Sequence, residues 1–357
     1  MKTRAPRALA RVAVVAIAIG AATLQGSAQN GTQNSVQNDM QAVVSAAFSK
    51  YKDLKEGKNA DYIPALAHVD PNMFGVAVVG RDGKAYVAGD ANAEVSIQSI
   101  SKVFTMARVI QDQGPDAIEK TIGVDATGMK FNSIVAIELS YKLAGGPEMN
   151  PLVNPGAITA TSMVRGATSD EVWMKILGTY SDFAGRPLSV MQDVYKSESD
   201  SNQRNQAIGM LMHAYGYIKQ NPAQATDLYT RQCSVGVTAK DLATMAATLA
   251  FGGRNPVTGK QAIATESVPY VLAVMATAGL YDDSGKWLYH TGLPAKSGVG
   301  GGIIAVAPGR FGIAVVSPPL DEAGNSVRAQ KAIADIVNAL GLNPYASKPS
   351  RSLAASR

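Results

Sequence analysis

Ser99 and Lys102, in the run SIQSISKVF from Ser96 to Phe104, carry the clearest chemistry in this chain. A serine hydroxyl is a poor nucleophile until a base takes its proton, and a lysine three residues later on a helix lies on the same face. Buried beside other donors, that lysine can lose its charge and act as the base. The spacing alone is not decisive, because Ser49 and Lys52 repeat it in a charged stretch with no other sign of a site. Context separates the two. Ser99 follows a strand-like hairpin and opens the apolar run Ile100 to Ile110, a strand-to-helix junction where a helix N-terminus offers free N–H groups. The plain alternative is a capping serine beside a solvated lysine.

A second element lies near the C-terminus, in LPAKSGVGGGIIAVAPGRFGIAVVSPP from Leu293 to Pro319. Lys296-Ser297-Gly298 matches the Lys-[Ser/Thr]-Gly triplet that accompanies Ser-x-x-Lys in penicillin-recognising serine enzymes. Two β-rich runs follow, Ile303 to Ala307 and Phe311 to Ser317, and Pro308-Gly309-Arg310 between them reads as a hairpin turn. Gly298, Gly300, Gly301 and Gly302 let a backbone pass close to a ligand. A phosphate loop does not fit, because Ile303 stands where the last glycine of that pattern would be.

Other catalytic chemistries find less support. Cys233, the single cysteine, sits in what reads as a helix-to-helix transition without a nearby histidine and is expected to be a buried structural thiol. His68, His213 and His290 are scattered and form no ligand-spaced pair, so no metal or other cofactor is expected. No Gly-x-Ser-x-Gly elbow is present.

The elements that would position Ser99 and Lys296 read as follows. Met40 to Lys55 has helical spacing, and Phe74 to Val79 with Ala85 to Gly89 form a hairpin around Arg81-Asp82-Gly83. From Lys102 to about Pro269 the chain reads as mostly helical, with long periodic stretches at Gln206 to Lys219 and Ala239 to Ala250. After the C-terminal hairpin comes a helix from about Val327 to Leu340. Strands at both ends with helices between predict an α+β fold: one antiparallel sheet built from N- and C-terminal segments, flanked by helices, with a mostly helical insertion and a cleft between the two parts.

Residues 1–28 read as a secretory signal, with Lys2, Arg4, Arg7 and Arg11 ahead of the apolar run Val12 to Ala22 and a small-residue cleavage site at Gly26-Ser27-Ala28. The run is short of the ~20 residues a membrane span needs, and an uncleaved anchor is the alternative. Removing those cations lowers the formal charge from +5 to +1, so the basic balance is mostly a targeting feature and makes no case for nucleic acid. An exported protein without membrane attachment after cleavage is expected. Residues 29–39 read as a flexible linker, 40–343 as the folded domain and 344–357 as a disordered tail.

Taken in order, ADYIP (60–64), QSISK (98–102), NPLVNPGAI (150–158), SESDSNQRN (197–205), Tyr229 in DLYTRQCS, LYDDSG (280–285), GLPAKSGVGGG (292–302) and SPPLDEAGNS (317–326) give a resemblance to the serine-dependent glutaminases. That family shares the fold of class A β-lactamases and penicillin-binding proteins. Pro155 departs from the alanine many members carry after the asparagine, leaving Asn154 in place; the β-lactamase Ser-Asp-Asn triplet is not found. The resemblance implies an amidohydrolase that converts L-glutamine and water to L-glutamate and ammonia. Ser99 would form an acyl-enzyme with Lys102 as base, Tyr281 would complete a proton relay, and the N–H groups of Ser99 and Val299 would hold the oxyanion. Tyr62, Asn154, Glu198, Asn205 and Tyr229 would hold the amino-acid head group. A homo-oligomer, often a tetramer in the family, is implied as well. Two other readings stay open at this point: a β-lactam-interacting serine hydrolase of the same fold, and a non-catalytic amino-acid-binding protein.

Overall fold

The computed structural model describes residues 39–143 and 149–346. The expected leader at 1–28, the linker up to residue 38 and the tail from 347 onward lie outside the described residues. Two compact units divide the chain, Met1–Val43 and Val44–Arg357. In the first, residues 39–43 are helical. All that follows concerns the second, whose first helix, α1, covers 44–51.

A five-stranded antiparallel sheet joins the two ends of this unit, as the hairpins predict. Its N-terminal strands are β1 (Gly75–Val79) and β2 (Ala85–Gly89). A separate two-stranded ribbon pairs β3 (Val95–Ser96) with β4 (Gly236–Val237). The C-terminal strands are β5 (Ala295–Ser297), β6 (Gly302–Ala307) and β7 (Phe311–Val316), and the sheet order is β2-β1-β7-β6-β5. Every residue of β1 and β6 is buried, which is why both read as near-continuous apolar runs rather than alternating ones. The Lys296-Ser297 pair sits on β5, an edge strand too short to announce itself in the sequence.

Helix α2 (Pro64–Ala67) precedes β1. Helices α3 (Ser101–Gln113), α4 (Pro115–Thr121), α5 (Ile134–Leu143), α6 (Asn154–Met163), α7 (Ser169–Ala184), α8 (Gln192–Asp200), α9 (Gln203–Ala214) and α10 (Pro222–Cys233) form most of the part between β3 and β4. Then come α11 (Ala239–Ala250), α12 (Val268–Ala278), α13 (Ser284–Thr291) and α14 (Val327–Ala339). Their ends follow capping chemistry. Thr168 accepts from the Glu171 N–H at the start of α7, and the helix stops at Gly185 in the left-handed region. Helix α11 opens with a capping box between Thr238 and Asp241, and Arg186 clamps the same Asp241 with two hydrogen bonds of 2.8 and 2.6 Å.

Two expectations need correction. The helix read over Gln206 to Lys219 ends at Ala214, because Gly216 turns the chain at φ +79°, a conformation that favours glycine. Cys233 closes α10 ahead of β4, so it marks a helix-to-strand rather than a helix-to-helix passage; it is buried, as expected of a structural thiol.

Helix α11 packs on β7 and β1 more closely than ordinary side chains would permit. It presents Ala243, Ala246, Ala247 and Ala250, all buried, to a sheet that offers Gly312 in β7. A Cβ at Gly312 would stand 2.0 Å from the Ala247 nitrogen and 2.3 Å from the Ala243 oxygen. Backbone therefore meets backbone at the centre of the sheet.

Candidate active site

Ser99 lies in a 3₁₀ turn, Gln98–Ile100, between β3 and α3. The turn begins on Gln98 at φ +49°, an unusual conformation for a residue with a side chain. Its amide explains how it is held: Nε2 donates to Ser96 Oγ at 3.1 Å and to Glu198 Oε2 at 3.2 Å. A few kcal/mol of backbone strain, ~1–3 by general experience, is thus countered by buried hydrogen bonds. One turn on, Lys102 is 1 % exposed, and its Nζ donates to Asn154 Oδ1 at 2.7 Å and to the Leu152 carbonyl at 3.5 Å. Burial pushes its ammonium down to about 8, against the opposing charges of Cys233 and Glu198. The solvated-lysine alternative is excluded by this burial.

The C-terminal triplet closes over the same turn. A Cβ on Gly298 would lie 3.0 Å from the Ile97 oxygen and 3.3 Å from the Ser99 nitrogen, so the β5–β6 loop lies close against the nucleophile turn and a side chain there would crowd it. Val299, the next residue, lines the site cavity with Ser99. Lys296 Nζ donates to the Gly279 and Ser297 carbonyls at 2.9 and 2.7 Å and lies 4.0 Å from the centre of the Tyr281 ring. Burial, reinforced by the charge of Lys102, holds it well below the usual lysine range. Tyr281 has φ +56°; its hydroxyl donates to the Ser297 carbonyl at 3.4 Å and shares a side-chain hydrogen bond with Ser99. Burial pushes this phenol up to about 12, while those two hydrogen bonds pull against it.

Asn154 opens α6 and is the hub. Its Oδ1 accepts from Lys102 and from the Tyr229 hydroxyl at 3.1 Å, while its Nδ2 donates to Asn205 Oδ1 at 2.9 Å. Glu198, on α8, is buried, and burial pushes its carboxyl up to about 7 against the Gln98 hydrogen bond and the charge of Lys102. Tyr62 is 53 % exposed as a residue, yet its hydroxyl is enclosed enough that burial pushes it up, helped by Tyr281 and Glu198. Tyr229 is fully enclosed and burial raises its phenol strongly.

A cavity of about 100 Å³ brings these residues together: Tyr62, Ser99, Asn154, Glu198, Asn205, Tyr229 and Val299 all line it. Lys102 and Tyr281 reach it through Asn154 and Ser99. Every residue that the resemblance assigns to the site is therefore in or directly behind one cavity. Gln98, Phe131, Asn132, Asn202 and Arg204 also line it and were not singled out. Three of these lay inside segments already read, Gln98 in QSISK and Asn202 and Arg204 in SESDSNQRN; Phe131 and Asn132 had no local signal. Arg204 Nε donates to the Asn132 carbonyl at 3.0 Å, and its guanidinium is the cation at the cavity wall among the described residues. Chemically the cavity offers a hydroxyl nucleophile backed by a depressed lysine, together with a carboxylate and amide and phenol groups.

A family model described as glutaminase matches residues 57–345. The chain belongs to the glutaminase family. A glutaminase from Colwellia psychrerythraea is 52 % identical over 304 residues, covering 85 % of this chain and 96 % of that one. One from Mycobacterium ulcerans is 51 % identical over 299 residues, covering 84 % and 92 %. Among solved structures, the probable glutaminase YbaS is similar with a TM-score of 0.84 at 45 % identity, covering 87 % of this chain and 99 % of its own. A probable glutaminase from Bacillus subtilis, solved complexed with 6-diazo-5-oxo-L-norleucine, is similar with a TM-score of 0.76 at 27 % identity, covering 85 % and 96 %. The glutaminase family thus accounts for the α+β fold with its antiparallel sheet.

Proposed function

We propose that this glutaminase-family chain hydrolyses L-glutamine to L-glutamate and ammonia through an acyl-enzyme on Ser99. The supporting observation is that a single small cavity is lined by Ser99 together with the carboxylate of Glu198 and the amides of Asn154 and Asn205. Lys102, depressed by burial, takes the Ser99 proton as its Oγ adds to the carboxamide carbon. The backbone N–H groups of Ser99 and Val299 receive the developing oxyanion, donors worth ~3–4 kcal/mol each in comparable sites. Tyr281, hydrogen-bonded to Ser99, passes a proton to the departing ammonia. Lys102 hands the Ser99 proton on to Tyr281 and is neutral again; water then adds to the ester and gives its proton to Lys102, which returns it to Ser99 Oγ as glutamate leaves. Glu198 pairs with the substrate ammonium. Tyr62, Tyr229, Asn154 and Asn205 supply amide and phenol groups to the head group, and Arg204 at the cavity wall faces its carboxylate.

The deciding assay is ammonia release from glutamine and from asparagine. Both ends of the substrate are held, so asparagine, one methylene shorter, leaves its carboxamide about 1 Å or more from attack, a displacement that costs ~10²-fold. The expected preference in kcat/KM is therefore ~10²-fold or more for glutamine. A ratio within a few-fold of unity would remove the head-group assignments. Acylation by a fluorescent penicillin without ammonia release from glutamine would favour the β-lactam-interacting alternative, and glutamine binding without turnover would favour the binding protein. We also place the enzyme outside the cytoplasm after cleavage near Ala28, and as a homo-oligomer. N-terminal sequencing of the exported protein and light scattering check these points.

Glu198→Gln should weaken glutamine by the size of a buried charge-assisted hydrogen bond, ~1.5–3 kcal/mol in kcat/KM. An analogue with an acetylated amine never makes that contact and should lose much less; equal losses would place Glu198 elsewhere.

The same groups set the pH dependence. Lys102, at about 8, must be neutral to act as base, and Glu198, at about 7, must be ionised to hold the ammonium. Both conditions are met on the alkaline side, so kcat/KM should rise with pH across the interval from about 7 to about 8. In Glu198→Gln only the lysine limb should remain, so the profile should become a single titration.

A further inference from the structure

A second cavity, of about 310 Å³, opens directly beyond the reaction centre. It shares Tyr62, Phe131, Asn132 and Val299 with the site cavity, so the two are joined through a common wall. Of the head-group residues, Tyr62 lines both, while Asn154, Glu198, Asn205 and Tyr229 line only the first. The second meets the site at Val299, a residue assigned to the oxyanion, which we read as the side where the leaving group departs. Tyr281, the relay tyrosine, supports this placing, since its ring lies against Phe131 at 4.8 Å between centres. Gly324 in the 321–325 loop sits over both rings and Val299, a Cβ there being 3.8 Å from each. Ammonia needs no such volume to leave.

The walls of this outer cavity carry Asp61, Asp282, Asp321 and Glu322 against Lys58 and Lys130. Lys58 is already paired with Asp61 at 3.0 Å, and Asp321 is occupied by the Ala323 and Asn325 N–H groups and the Gln330 amide. Asp282 and Glu322 remain against Lys130, so the cavity favours a cation over an anion.

Resting on the glutaminase reading above, we infer that this cavity is a subsite for a substituent on the amide nitrogen, so that the enzyme also cleaves γ-glutamyl amides of primary amines, and cationic amines best. The step is the one already described with a larger leaving group. Ser99 Oγ forms the ester bond, the C–N bond of the substituted amide breaks, and the amine leaves with the proton that Tyr281 and Lys102 relay. Water then adds to the ester and gives its proton to Lys102, which returns it to Ser99 Oγ as glutamate leaves. No further reactant is required.

The test compares four substrates on the purified protein: glutamine, its γ-(4-aminobutyl)amide, its γ-ethylamide, and γ-glutamylglycine, which places a carboxylate in the outer cavity. The aminobutylamide is expected to be cleaved at a kcat/KM within about tenfold of glutamine, the ethylamide next, and γ-glutamylglycine slowest. Glu322→Gln should lower the aminobutylamide value about three- to fivefold, the scale of an exposed and screened charge pair, and leave glutamine unchanged. Cleavage of glutamine with none of the substituted amides turned over would overturn the subsite and leave the glutaminase reading standing. Equal rates for the cationic and anionic amides would overturn the charge selection. Failure on glutamine itself would count against the function on which the inference rests, a result the subsite cannot produce.

Discussion

Ser99→Ala should lose at least ~10³-fold in kcat, Lys102→Met should lose nearly as much, and the double variant should be little worse than either. Groups that act as one unit give strongly non-additive losses, because removing either member already removes the covalent route. The structure supplies the reason that neither can be replaced from nearby. Lys296 is the other buried lysine among the described residues, but its Nζ is committed to the Gly279 and Ser297 carbonyls and lies under the Tyr281 ring. Unfolding is not the cause of the loss, and thermal melts can show it. Lys102 has a folded-state value of about 8, below its ordinary 10.5, so the fold binds that proton less tightly than the unfolded chain. The resulting destabilisation is present in full below about 8 and fades as pH rises toward 10.5. Lys102→Met should therefore melt at or above the parent temperature at pH 7, with the advantage shrinking at alkaline pH. A lower melting temperature, or retention of more than ~1 % of activity by Ser99→Ala, would contradict this account.

Gly312→Val should be the most damaging single change in the sheet, with Gly312→Ala close behind. Overpacking a core typically costs ~1–3 kcal/mol when side chains can yield. Here the obstacles are the Ala247 nitrogen and the Ala243 oxygen, at 2.0 and 2.3 Å, and backbone cannot change rotamer. Helix α11 must lift from β7 and β1 together. A loss of ~3 kcal/mol or more is expected, seen as a fall in Tm of roughly 6–12 °C for a chain of this size, or as insoluble protein. At Gly178, inside α7, a Cβ would meet nothing within 4 Å, so Gly178→Ala should move the melt the other way by relieving the helix of a flexible residue. If both alanine variants melted alike, the close approach of α11 would not be what constrains position 312.

What could be read from the sequence was what repeats locally. The β1–β2 hairpin announces itself through Arg81-Asp82-Gly83, and α11 through the spacing of Ala239 to Ala250. The Ser99 and Lys102 pair and the Lys296 triplet were visible as types and spacings; the burial that depresses both lysines was not, because it is supplied by elements far away in the chain. Gln98 shows the limit most plainly. Nothing in its neighbours requires φ +49°; the conformation exists because Glu198 and Ser96 hold its amide. Phe131 and Asn132 reach the cavity from a loop without regular structure, so no period could mark them. The overrun of α9 was avoidable, since Gly216 and Pro222 are ordinary stop signals.

The joining of β1 to β7 has a consequence in time. Strand β1 ends at Val79, and the strand it must pair with begins only at Phe311. During synthesis the early hairpin must wait, with its apolar edge unpaired, until nearly the whole polypeptide exists. Long-range pairing of this kind makes folding slow and leaves an open edge exposed to association in the interval. The two residues proposed to hold the oxyanion are divided in the same way, Ser99 ahead of α3 and Val299 after α13. A chain ending anywhere between them lacks both β7 and the second of these residues, so the sheet and the proposed site are completed together, when the last strands pair with the first.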